Sequence, residues 1–208
     1  MDLCRPPGLP APAALVDPRS ALAGRRRALR RAAAVRSAAG AADVSTVLLD
    51  MGGVVIPTLF ESVTAPGFPS GPFGQEADYR RVERGTLPER DYWARLAARR
   101  PDLDVGGLWR TCSRVRAEVR ATVAALAARV RLVAFTNDMA HWFGPDWPAR
   151  FPELAGFDAV LEAAALGALK PAPEAFRLAA AAVDEHPSRC LFVDDLAVNL
   201  TGAAEVGM

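Results

Sequence analysis

Cysteine is scarce. The 208-residue chain has three, Cys4, Cys112 and Cys190, an odd number with no C-x-x-C pair. That argues against a disulfide framework or a cysteine-built zinc site. A reducing, cytoplasmic setting is the simplest expectation. Long apolar runs are missing too. None reaches the roughly 18 residues a spanning helix needs, and the best candidate, 121–135, is interrupted by Arg129 and Arg131. A secretory leader is not expected, because the apolar stretch Leu9–Val16 contains Pro10 and Pro12. Charge of one sign is not in excess: Lys+Arg is 25 against Asp+Glu 24, net +1. No nucleic-acid or membrane partner is therefore expected, and nothing specifies an oligomeric state. What is present, 51% hydrophobic and 24% charged residues, excludes a wholly disordered chain.

The near-neutral total hides an asymmetry. Residues 1–43 carry eight Arg and three Asp, net +5, and the remainder is net −4. Pro6, Pro7, Pro10, Pro12 and Pro18 stop any helix before residue 19. The expectation is a flexible Ala/Pro/Arg-rich extension over 1–44.

Order should begin near Ser45. Val47-Leu48-Leu49 followed by Gly52-Gly53 fits a strand buried on both faces. Residues 58–73, with Pro66, Pro69 and Pro72, read as a loop or linker. Residues 74–130 are helical in pattern, closing with a long helix over about 108–129. Arg131–Phe135 is a second apolar strand, 158–161 a third and Cys190–Val193 a fourth. Helices are expected over Pro173–Val183 and Asn199–Val206. The pattern of strand, helical insert, strand, helix, strand, helix predicts an α/β fold, a three-layer Rossmann-like parallel sheet. The chain stops at Met208 directly after a helix, so a C-terminal edge strand is expected to be missing.

In such sheets ligands bind beyond the carboxyl ends of the strands. Asp50 follows the first strand, Thr136 and Asn137 end the second, Lys170 precedes the helix after the third, and Asp194-Asp195 follow the fourth. Three carboxylates converging on one edge repel unless a cation joins them, and a hard cation such as Mg²⁺ takes oxygen ligands. A lysine and a hydroxyl beside it offer donors to an anion. The combination suits phosphoryl transfer in which Asp50 attacks phosphorus. Taken singly, each residue is as well explained by a turn, a cap or a helix entry.

The motifs together resemble the haloacid dehalogenase-like hydrolases, most of which are phosphatases. Val47-Leu-Leu-Asp50-Met-Gly-Gly-Val54, Phe135-Thr136-Asn137, Gly167-Ala-Leu-Lys170-Pro171 and Phe192-Val-Asp194-Asp195-x-x-x-Asn199-x-x-Gly202 stand in the family's order. The resemblance implies a Mg²⁺-dependent phosphatase of a small phosphorylated metabolite. It implies that Asp50 is nucleophile and metal ligand, with Thr136 and Lys170 also catalytic. Thr136, the Asn137 amide and Lys170 would hold phosphate. The Gly52 carbonyl, Asp194, Asp195 and Asn199 would serve the metal. It implies a core of 45–57 and 126–208 and a helical cap over 58–125.

One departure stands out. The family's usual second Asp, the general acid and base, is Gly52 here, and its loss costs about 10²–10⁴-fold in rate. Three alternatives stay open on that account: a non-catalytic binding protein of the same fold, a decayed fragment, and a metal-free haloacid dehalogenase. The acidic pair Asp194-Asp195 weighs against the last.

Overall fold

The computed structural model describes residues 44–208; the expected extension over 1–44 lies outside them, save Val44. Four short strands form one sheet: β1 (Thr46–Leu49), β2 (Arg131–Thr136), β3 (Ala159–Glu162) and β4 (Cys190–Val193). All pairs are parallel, in the order β3-β2-β1-β4. β1 is paired on both sides, which is why its apolar run does not alternate. The chain winds from β1 outward to β3 and then returns to the far side of β1. That reversal makes a crevice at the carboxyl ends of β1 and β4.

Helices cover both faces. On one, Leu48, Val133, Phe135 and Phe192 pack against Ala175, Phe176 and Ala179 of α8 (Pro173–Ala182) and Ala203 of α9 (Ala197–Glu205). Helix α8 opens on Pro173, whose missing N–H costs nothing at that position. On the other face, Val47 and Leu132 pack against Val123 of α5 (Ala117–Leu126). Two small helices complete this part: α6 (Met139–Phe143) after β2 and α7 (Ala163–Leu166) after β3. The predicted three-layer α/β architecture is therefore the observed one.

The described residues fall into two compact units, one of 44–57 with 114–208, the other of 58–113. The second holds α1 (Leu59–Ser62), α2 (Ala77–Glu83), α3 (Glu89–Arg99) and α4 (Val105–Cys112). Its centre is aromatic: Phe60 stacks on Trp93 at 4.9 Å between centroids and meets Tyr79 edge-on at 4.7 Å. Glu76 fixes the nearby loop, taking the Tyr92 hydroxyl hydrogen at 2.9 Å and the Ser70 N–H at 2.7 Å.

Two local expectations need correction. Residues 58–73 are not a plain linker. The Thr58 N–H donates to Glu61 at 2.8 Å, a capping-box contact that starts α1, and Phe60 enters the aromatic centre. The count of prolines concealed that signal. The long helix over 108–129 is in fact two. Ser113 and Arg116 are extended, and the Arg116 N–H donates to the Val55 carbonyl at 3.0 Å instead of continuing a helix. That break is the unit boundary.

Candidate active site

The ends of β1 and β4 bring their carboxylates together beside Lys170. Lys170, carried between α7 and α8, extends its ammonium 2.6 Å from Asp50 Oδ1 and 2.9 Å from Asp194 Oδ2. It also donates to the Phe135 carbonyl at 3.3 Å. The Phe135 and Phe192 rings flank it, with centroids 5.4 and 5.1 Å away. Only 2% of the Lys170 side chain is exposed, against 13% for Asp50 and none for Asp194. Burial would pull the ammonium below its ordinary value, but Asp194 and Asp50 outweigh it and hold it above. Asp50 is pushed up to about 7, chiefly by burial, with Lys170 opposing and Asp194 adding to the rise.

Asp194 is held by three donors. One oxygen accepts from Lys170 and from the Asn199 carboxamide at 2.9 Å, the other from the Leu196 N–H at 2.8 Å. Asp50, Asp194 and Asp195 each offer an oxygen within 4.8 Å of the other two. An all-oxygen donor set of this kind suits a hard divalent cation.

The turn after Asp50 is held by backbone bonds, Val55 N–H to the Asp50 carbonyl at 3.2 Å and Gly53 N–H to the Ile56 carbonyl at 2.8 Å. Gly53 lies at φ +79°, and a Cβ there would fall 2.3 Å from Asp195 Oδ2. Only glycine lets Asp195 approach the turn this closely. Arg116 borders it, with a guanidinium nitrogen 3.4 Å from the Gly53 carbonyl.

A model of the haloacid dehalogenase-like hydrolases matches residues 44–207, most of the chain. The chain belongs to that family. Solved structures agree on the fold. A hydrolase of the superfamily, subfamily IA, variant 1, from Geobacter sulfurreducens is 20% identical at a TM-score of 0.53, over 79% of this chain and 86% of its own. A family enzyme from Bacteroides thetaiotaomicron, solved as wild type with magnesium and inorganic phosphate, is 17% identical at 0.50, over 79% and 91%. No protein of curated function matches the sequence.

Within this hydrolase, the residues singled out from sequence are placed as follows. Asp50, Lys170, Asp194, Asp195 and Asn199 stand together, Thr136 closes β2, and Gly52 lies in the turn. Two contributions were not anticipated. The Asn137 carboxamide clamps Lys170 from both sides, accepting its N–H at 2.8 Å and donating to its carbonyl at 3.2 Å. Gly202 admits the Pro171 carbonyl, which would lie 2.0 Å from a Cβ. The second was visible as a glycine inside a helical pattern. The first had no sequence signal, because it depends on two loops meeting.

Lys170 is the keystone of the cluster. Lys170→Met leaves Asp50 and Asp194 facing each other without a cation. The expected loss is about 3–5 kcal/mol of unfolding free energy at pH 8 in chelator, partly regained near pH 5 as the carboxylates bind protons. Urea denaturation at the two pH values measures it, and equal stability of variant and parent would refute it.

Proposed function

We propose that this hydrolase is a cytoplasmic, Mg²⁺-dependent phosphomonoesterase of small phosphorylated metabolites, working through a phosphoenzyme on Asp50. The observation that carries the reading is the Asp50–Lys170–Asp194 cluster with Asp195 beside it at the crevice of the sheet. The donor set fits the metal. Asp50, Asp195 and the Gly52 carbonyl would hold it together with Asp194, and Asn199 serves by orienting Asp194. When bound, magnesium supplies positive charge against the phosphoryl oxygens.

The chain's own groups do the rest. An Asp50 oxygen attacks phosphorus as the bond to the leaving oxygen breaks, and water later attacks phosphorus of the aspartyl phosphate, breaking its bond to Asp50 and releasing phosphate and the free carboxylate. Lys170, already on Asp50, offsets charge on the phosphoryl oxygens, while the Thr136 hydroxyl and the Asn137 backbone amide donate to them. Gly52 provides no proton, so leaving groups that depart unprotonated are favoured. The 58–113 unit stands in the chain where the family carries its small helical cap, and we assign substrate selection to it.

The test is phosphate release from sugar phosphates, nucleotides and an activated aryl phosphate, with Mg²⁺ and with chelator. Release that needs Mg²⁺ is expected. A cooperatively folded protein that releases none would sink the reading and favour a non-catalytic binding role, which Gly52 also accommodates.

A further inference from the structure

Glu162 ends β3 directly opposite Thr136, the last residue of β2, in the parallel ladder. It is not one of the residues that the motifs single out. Its half-buried carboxylate nevertheless makes two contacts on the segment following Thr136. One oxygen accepts the Ala140 N–H, in the first turn of α6, at 2.8 Å. The other accepts the indole N–H of Trp147, itself only 2% exposed, at 3.1 Å.

The first-turn amides of a helix have no partner within it, so Glu162 satisfies a donor that would otherwise float. The turn 136–138 is thereby bracketed. The β2–β3 ladder holds it on the entering side, and Glu162 holds it on the leaving side through α6. A third bond, from the Ala164 N–H to the Asn137 carbonyl at 2.9 Å, ties it to the residue pair following Glu162. Both Glu162 bonds are assisted by charge and are stronger than neutral ones. The Trp147 bond restricts rotation of the carboxylate, so the Ala140 bond has a defined direction.

We propose that Glu162 is a positioning residue for the phosphate-binding turn. It sets where the Thr136 hydroxyl and the Asn137 backbone amide meet the phosphoryl oxygens, without touching substrate itself. The inference rests on the phosphatase reading above, and it adds a specific consequence. Loosening Glu162 weakens binding of the phosphoryl group itself, whichever metabolite carries it.

The experiment uses the full chain and its Glu162→Gln, Glu162→Ala and Trp147→Phe variants. It measures kcat and KM for an activated aryl phosphate, the inhibition constant of inorganic phosphate, and urea unfolding. In Glu162→Ala, KM and the phosphate inhibition constant are expected to rise together by about ten-fold. Glu162→Gln keeps the shape and one acceptor but turns an N–H toward a donor. A smaller rise in the same direction is expected there, and in Trp147→Phe. Lower stability with both constants unchanged would overturn the proposal, and Glu162→Gln decides it should the alanine variant fail to fold. If the parent shows no turnover, calorimetry with inorganic phosphate and Mg²⁺ replaces kinetics. Equal affinity in parent and Glu162→Gln overturns the positioning role alone, and a parent that neither turns over nor binds phosphate overturns both readings.

Discussion

On the proposed phosphatase mechanism, Asp50→Asn is expected to abolish phosphate release, by about 10⁴-fold or more for every substrate the parent accepts. The carboxamide oxygen still fits beside the Lys170 ammonium, which lies 2.6 Å from Asp50 Oδ1, and Lys170 keeps Asp194 as its charged partner. If Asp50 is the nucleophile, nothing else is lost, so the loss is expected to fall on kcat and to be indifferent to the leaving group. Residual turnover within ten-fold of the parent would mean that another group attacks phosphorus, or water does so directly.

The same substitution has a second expected effect, of opposite sign, on stability. Burial first, and Asp194 in addition, lift the Asp50 carboxyl to about 7 against the pull of Lys170. A carboxyl that holds its proton more tightly when folded contributes nothing against folding below about pH 4, where it is protonated in both states. Between there and pH 7 the unfolded chain releases the proton first, and the charged folded form becomes progressively costlier. In chelator, Asp50→Asn therefore raises Tm above pH 7, and the gain shrinks toward pH 4. A lower Tm at pH 8 would show that the Lys170 contact outweighs burial. A carboxylate in the candidate site that opposes folding is an instance of function traded against stability.

Much of this was readable in the chain. The parallel sheet follows from four apolar runs with no alternation, and the site from asking what stands at their carboxyl ends. Asp50, Lys170 and Asp194 met because strand order alone brings β1 and β4 together and places the loop after β3 over them. What sequence did not show depends on close approach between segments far apart in the chain. The break at Ser113–Arg116 arises from a bond to Val55, about sixty residues earlier, and overrides a helical pattern of Ala, Val and Arg. The Phe60 cluster hid in a proline-rich stretch, because aromatic packing carries no period to detect. Glu162 stood among alanines with no motif around it, and its partners Ala140 and Trp147 are fixed only by the fold.

Gly52→Asp tests the one departure from the family pattern, and its expected effect is a gain. The two glycines of the turn are not equivalent. Gly53 is locked by its φ of +79° and by Asp195, whereas Gly52 is outside the left-handed region and bridges to Ile56 in extended pairing. A side chain at 52 therefore meets no backbone penalty, and it stands two residues beyond the nucleophile. A carboxyl there can protonate a departing alkoxide and later take a proton from the attacking water, work worth about 10²–10⁴-fold. Turnover of an alkyl phosphate, whose leaving group needs that proton, is expected to rise by about 10²-fold. An activated aryl phosphate, whose leaving group departs unaided, should gain little. The ratio of the two rates is the decisive readout, because a general change in folding or metal affinity moves both alike. Equal changes for the two substrates would show that residue 52 is not where this enzyme lacks its acid. A rise confined to the alkyl phosphate would show that the turn still presents position 52 to the leaving oxygen, and that the parent is limited there by a missing proton rather than by its nucleophile.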